Sequence, residues 1–130
     1  MTKDEPATTA DRASPEIEHL KQRLREFAHA RSWERFHTAK NLTTAVSAEA
    51  GELAAVLQWA TPDEEVGPFL DQLEDEIADV LIYLVRLCDV LDMDPLQAAY
   101  AKVERNEQRF PPQTAASTGT AHPDSGPRPA

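Results

Sequence analysis

"NLTTAVSAEAGELAAVLQWA" occupies residues 41–60, and its reading decides the fold. Leu42, Ala45, Val46, Leu53, Val56, Leu57 and Ala60 recur at the spacing of one helical face. Glu49 falls on that apolar stripe, and Glu52 lies beside it, one turn on. A carboxylate is costly to bury without a partner, so it must meet a cation or take up a proton. The remainder of the chain has to supply one or the other.

A second helix repeats the device. "EDEIADVL" at residues 74–81 sets Glu76 and Asp79 three apart on one face, with Tyr83 one turn further. Val80, Leu84 and Leu87 flank that face. The loop between the two helices allows them to reverse and pack as antiparallel neighbours. Four carboxylates around one small volume cannot all stay charged without a cation. Helix bundles build metal sites in this way, from side chains projecting inward. Di-iron bundles use Glu-x-x-His, and no histidine stands at either third position here. An all-oxygen set suits Mg²⁺, with Mn²⁺ as a substitute, and Mg²⁺ prefers to share its shell with phosphate oxygens. A single acid pair is ordinary on a solvated helix; two pairs on the apolar stripes of adjacent helices are harder to leave to solvent. Gly51, inside the first of these helices, costs about 1 kcal/mol relative to alanine and suggests close approach by a ligand or helix.

The rest of the chain frames these two helices. Residues 1–13 are small and polar, and residues 111–130 are rich in Pro, Gly, Ser and Thr, so both are expected to be disordered. The folded unit is residues 14–110, and no period-two strand pattern occurs in it. An all-α, four-helix bundle follows. Ser14-Pro15 opens the first helix, carrying Ile17, Leu20, Leu24 and Phe27 on one face. The second starts between Thr38 and Leu42 and ends near Trp59; the third runs from near Pro68 to about Leu91. Asp94-Pro95 opens the fourth, and "FPP" stops it. "VLIYLVRLCDVL" in the third helix is apolar around most of its circumference. A helix of that kind is buried on more than one side, which points to a homo-oligomer; the alternative is a central helix within its own bundle.

Composition narrows the function. The 130 residues carry a formal net charge of −10, which disfavours a nucleic-acid backbone binder but not a nucleotide ligand neutralised by a divalent ion. The lone Cys88 excludes an intrachain disulfide and fits a reducing compartment as a small core residue. No signal peptide and no membrane span is visible, so a cytoplasmic protein is expected. Lys102, Asn106 and Arg109 form a polar stripe on the fourth helix, ordinary on spacing alone but suited to the further cations a triphosphate needs. Trp33, Phe36 and His37 in "RSWERFH", and Trp59 at the end of the second helix, are packing residues or a stacking platform for a nucleobase.

Together these residues resemble the MazG-like nucleoside triphosphate pyrophosphohydrolases, in particular their dCTP pyrophosphatase branch. The likeness rests on "EAGE", which holds Glu49 and Glu52, and "EIAD", which holds Glu76 and Asp79. It extends through "FAHARSWERFH", "DVLIYLV" and "KVERNEQRFP". It implies a helical homodimer or homotetramer and Mg²⁺-dependent cleavage of dCTP, or a 5-modified dCTP, to the monophosphate and pyrophosphate. Glu49, Glu52, Glu76 and Asp79 would hold the metal and one glutamate would act as general base. Trp33, Phe36, His37, Trp59 and Tyr83 would surround base and sugar, and Lys102, Asn106 and Arg109 would meet the phosphates. Two rival readings stay open: a dUTP- or dUDP-type hydrolase on the same scaffold, and a non-enzymatic helical oligomerisation module holding a structural ion.

Overall fold

Helices account for every regular element among the described residues, as the periodicity predicts. The structure, a computed structural model, describes residues 14–113. Residues 1–13 and 114–130, which carry most of the two expected disordered tails, lie outside the described residues. Helix α1 spans Pro15–Ala30, α2 Ala39–Val56, α3 Leu70–Val90 and α4 Pro95–Arg109, and there is no strand among the described residues. Short 3₁₀ turns at Glu34–Phe36 and Gly67–Phe69 lead into α2 and α3.

The helix starts follow their capping chemistry. Thr38 caps α2, its Oγ1 accepting from the Asn41 amide at 3.2 Å. Asp94 caps α4, accepting from the amides of Leu96 at 2.8 Å and Gln97 at 3.0 Å. Ser14 holds the extended backbone of a cap, but its hydroxyl bonds the Glu16 carboxylate instead of a backbone amide. Helix α2 closes at Val56, one turn earlier than the expected end at Trp59.

The ends of α1 and α3 share a device that the sequence conceals. Ser32 and Asp92 both adopt a left-handed φ of 54°. The next amides reach back across the last turn, Trp33 N–H to Ala28 O at 3.0 Å and Met93 N–H to Cys88 O at 2.9 Å. These are Schellman closures, which usually carry glycine at the left-handed position. At the end of α1 the closure folds Trp33 back onto Phe27, with ring centroids 5.7 Å apart and edge to face.

Helix α3 is the hub. Its largest contact is with α2 and its next with α1. His37, just before α2, meets Arg86 near the end of α3, while Glu49 meets Glu76 and Asp79. These pairings make the two helices antiparallel. Helix α1 also runs against α3: Arg25 clasps Asp89 with bonds of 2.7 and 3.1 Å, and the Ser14 amide donates to Asp94 at 2.8 Å. The buried Lys21 stem carries its ammonium to the Met93 carbonyl at 2.7 Å, fastening α1 to the turn before α4. Among the described residues, Ile17, Ala28, Leu42, Val85 and Cys88 are the buried apolar side chains. Burial pushes the Cys88 thiol up, in keeping with an inert core residue.

The single chain leaves much apolar surface open. Helix α4 makes its main contact with α3 and leaves Tyr100 76 % exposed. Ile77, Leu81 and Leu84 on α3 are exposed as well. Thus α3 is the central helix of its own bundle and still presents an uncovered apolar face. No helix among the described residues is long and apolar enough to cross a membrane.

Candidate active site

The acid cluster forms where the middles of α2 and α3 cross. One carboxylate oxygen from each of Glu49, Glu76 and Asp79 lies within 4.8 Å of the others. All three residues are half-buried. Oε2 of Glu49 and Oε2 of Glu76 are buried and make no hydrogen bond. Such orphaned acceptors are rare in native interiors and need a partner. Desolvation raises both glutamates above the ordinary carboxylate range, and the charges of Glu52 and Asp79 raise them further. Three converging carboxyls, two of which carry an unpaired buried oxygen, fit a hard divalent cation that supplies the missing counter-charge. Glu52 is exposed and stands at the edge of the trio.

Beside the acids a cavity of about 210 Å³ opens between α1, the 33–37 segment and α3. Leu24, Phe27, Trp33 and His37 form one wall, while Asp79, Ile82, Tyr83 and Arg86 line α3. Asp79 therefore belongs to both the acid cluster and the cavity. The Trp33 ring meets His37 edge to face at 6.4 Å. Exposed aromatic edges next to a charged cluster provide a surface on which a nucleobase stacks.

Arg86 organises the inner end of this cavity. Its Nε donates to Nδ1 of His37 at 3.0 Å, and its Nη1 donates to Asp89 at 2.9 Å. Arg25 holds the same Asp89, and that hydrogen bond keeps the carboxyl below its usual range despite burial. Burial depresses His37 below the usual histidine range, and the Arg86 charge adds to the effect. His37 is thus a neutral imidazole accepting at Nδ1.

The expected site residues divide into two groups. Glu49, Glu76, Asp79, Tyr83, Trp33 and His37 meet around one continuous space, and Glu52, the fourth expected metal ligand, stands at its edge outside the converging trio. Phe36, Trp59, Lys102, Asn106 and Arg109 do not line the cavity. Trp59 is 90 % exposed beyond the end of α2. Lys102 and Arg109 are exposed on α4, and Asn106 is half-buried there. Gly51 has open space around it, with nothing within 4 Å of a Cβ added there, so close packing within the protomer does not explain it. Arg86 was legible only as a charge interrupting the apolar run "YLVRLC".

A pyrophosphatase of known structure from Archaeoglobus fulgidus superposes with a TM-score of 0.69 at 40 % identity, covering 78 % of this chain and 97 % of that one. The dCTP pyrophosphatase 1 of Mus musculus is 40 % identical over 116 residues, 83 % of this chain and 68 % of its own length. The chain belongs to the MazG-like dCTP pyrophosphatase family. Further members of this dCTP pyrophosphatase family match it similarly. The Bos taurus protein is 40 % identical over 76 % of this chain, and the Homo sapiens protein 39 % over 80 %. Both are named dCTP pyrophosphatase 1, and the chain spans 62 % and 64 % of their respective lengths. No family model matches the chain.

Proposed function

We propose that this chain is a Mg²⁺-dependent nucleoside triphosphate pyrophosphohydrolase acting on dCTP or a 5-modified dCTP. The observation that carries this reading is the carboxylate trio with two unpaired buried oxygens, set against an aromatic-walled cavity. The names of its relatives support the substrate. Glu49, Glu76 and Asp79 hold the divalent ion, which when bound neutralises phosphate charge and lowers the pKa of a water. Mn²⁺ is the expected substitute.

The chain's own groups then divide the work. Trp33 and Phe27 stack on the base, and Tyr83, one turn along α3 from Asp79, lies under the sugar. Glu52, outside the trio and exposed, accepts the proton of the attacking water. The water oxygen bonds to the α-phosphorus, and the bond from that phosphorus to the α–β bridging oxygen breaks, releasing the monophosphate and pyrophosphate. Lys102, Asn106 and Arg109 lie outside the cavity of their own protomer. We place them at the phosphates of a neighbouring copy, with α4 packed over it, so the active form is proposed to be a homodimer or homotetramer in the cytoplasm. Phe36 and Trp59 are proposed to join the base pocket from the same assembly. Residues 14–110 form the catalytic unit.

The test is a panel of nucleoside triphosphates with Mg²⁺, monitored for pyrophosphate with coupled inorganic pyrophosphatase. Turnover of dCTP that stops in excess EDTA is expected. Preferential hydrolysis of dUTP and dUDP would give the site to the rival hydrolase class, and no turnover of any nucleotide would leave an ion-binding oligomerisation module.

A further inference from the structure

The cavity ends in two hydrogen-bond donors that the acid chemistry does not use. Arginine has only donors, so the Arg86 Nε–His37 Nδ1 bond fixes Nδ1 as the acceptor. The proton of the neutral imidazole then sits on Nε2. Arg86 spends Nε on His37 and Nη1 on Asp89, and Nη2 has no partner among the described residues. Arg86 is buried, and His37 and Arg86 both line the cavity. Asp89 is in turn gripped by Arg25 from α1, so the guanidinium is held in place rather than free to swing.

Distance along α3 sets what this end would meet. Asp79, Tyr83 and Arg86 fall at positions i, i+4 and i+7 of one face. Seven residues of helix rise about 10 Å, roughly the reach of a nucleotide from its α-phosphate to the far edge of its base. A phosphate held at Asp79 therefore puts the base edge at Arg86.

We propose that Arg86 reads the base: its Nη2, with the Nε2–H of His37, recognises a pyrimidine that presents two adjacent acceptors, as cytosine does with O2 and N3. This inference rests on the triphosphate reading above. Uracil and thymine place an N3–H donor against these fixed donors, which leaves polar groups unpaired at the buried arginine end. The aromatic walls accept any base; the arginine end discriminates.

The test compares kcat/KM for dCTP, dUTP, dTTP and dGTP with Mg²⁺ on the unmodified chain and on Arg86→Met. The unmodified chain is expected to prefer dCTP. In Arg86→Met the dCTP:dUTP ratio is expected to fall about tenfold or more, chiefly through a raised KM for dCTP. Should Arg86→Met unfold at assay temperature, Arg86→Lys carries the same comparison, since it keeps the stem and charge but not the fork. An equal fall for all four substrates would make Arg86 a support for the fold only and overturn the proposal. So would an unmodified chain that prefers dUTP or dGTP. No turnover by the unmodified chain overturns the triphosphate reading and this inference with it; an unchanged ratio in the variant removes Arg86 alone.

Discussion

Glu49 and Glu76 illustrate how a buried acid divides stability from function. Both carboxyls are raised, first by desolvation and then by neighbouring charges, so the metal-free native state binds protons more tightly than the unfolded chain. Their contribution to stability is therefore fully present below the unfolded carboxylate pKa and is lost as pH rises through the raised native values. In EDTA, the melting temperature of the unmodified chain should fall as pH rises through that window, and Glu76→Gln should flatten the fall. A steeper decline in the variant would contradict this. Activity goes the other way. Glu76→Gln should lose both Mn²⁺ binding and turnover, the latter by about a hundredfold or more. Glu52→Gln should keep Mn²⁺ binding, read by calorimetric titration, and lose kcat. Trp33→Ala should raise KM about tenfold with little change in kcat, because stacking is made equally in ground and transition states. The acids were legible because a charge on an apolar stripe is a local contradiction. Arg86 was not, because its partners His37 and Asp89 lie 49 residues before it and 3 after it, and only folding joins the three.

Helix termini show the same divide between local and distant causes. Asp94 was readable as a cap from its following proline, and it does cap α4. Its second task, accepting the Ser14 amide from across 80 residues, was not readable. Burial pushes this carboxyl up, but the amides of Ser14, Gln97 and Leu96 outweigh it and hold it below the ordinary range. Stability from Asp94 is thus present above the unfolded carboxylate pKa and is lost as pH falls through the depressed native value. Asp94→Ala should cost about 1–2 kcal/mol, measured by urea unfolding at neutral pH. Asp92 offers the opposite substitution. A non-glycine residue at its left-handed φ is strained, so Asp92→Gly should stabilise by about 0.5–1 kcal/mol. A lower melting temperature for that variant would show that the Asp92 side chain contributes more than its backbone costs. Sequence reading placed the ends of α3 and α4 to within a residue and that of α2 three residues late, while serine and aspartate gave no sign of the left-handed turn that glycine would have announced.

The uncovered face of α3 and the loosely attached α4 make the protomer look like one part of a larger body. Monomeric proteins seldom leave so much contiguous apolar surface to water. Light scattering at micromolar concentration should report a dimer or tetramer, and a monomer would require another explanation for the exposed Ile77 and Tyr100. Removal of residues 111–130 should leave melting temperature and turnover nearly unchanged. The apolar circumference of "VLIYLVRLCDVL" signalled either a partner or a central helix; the central position is seen in the fold, and the partner stays an expectation for light scattering to check. The two tryptophans give this chain its own optical reporters. Trp33 sits in the wall of the cavity, and Trp59 stands almost wholly in water. With Trp59→Phe the remaining indole should shift and quench as a nucleotide stacks, at fixed protein concentration. With Trp33→Phe the other should move to the blue as the protein is concentrated, with nucleotide absent. Emission from a single indole would then separate occupancy of the cavity from association of the copies without any attached dye.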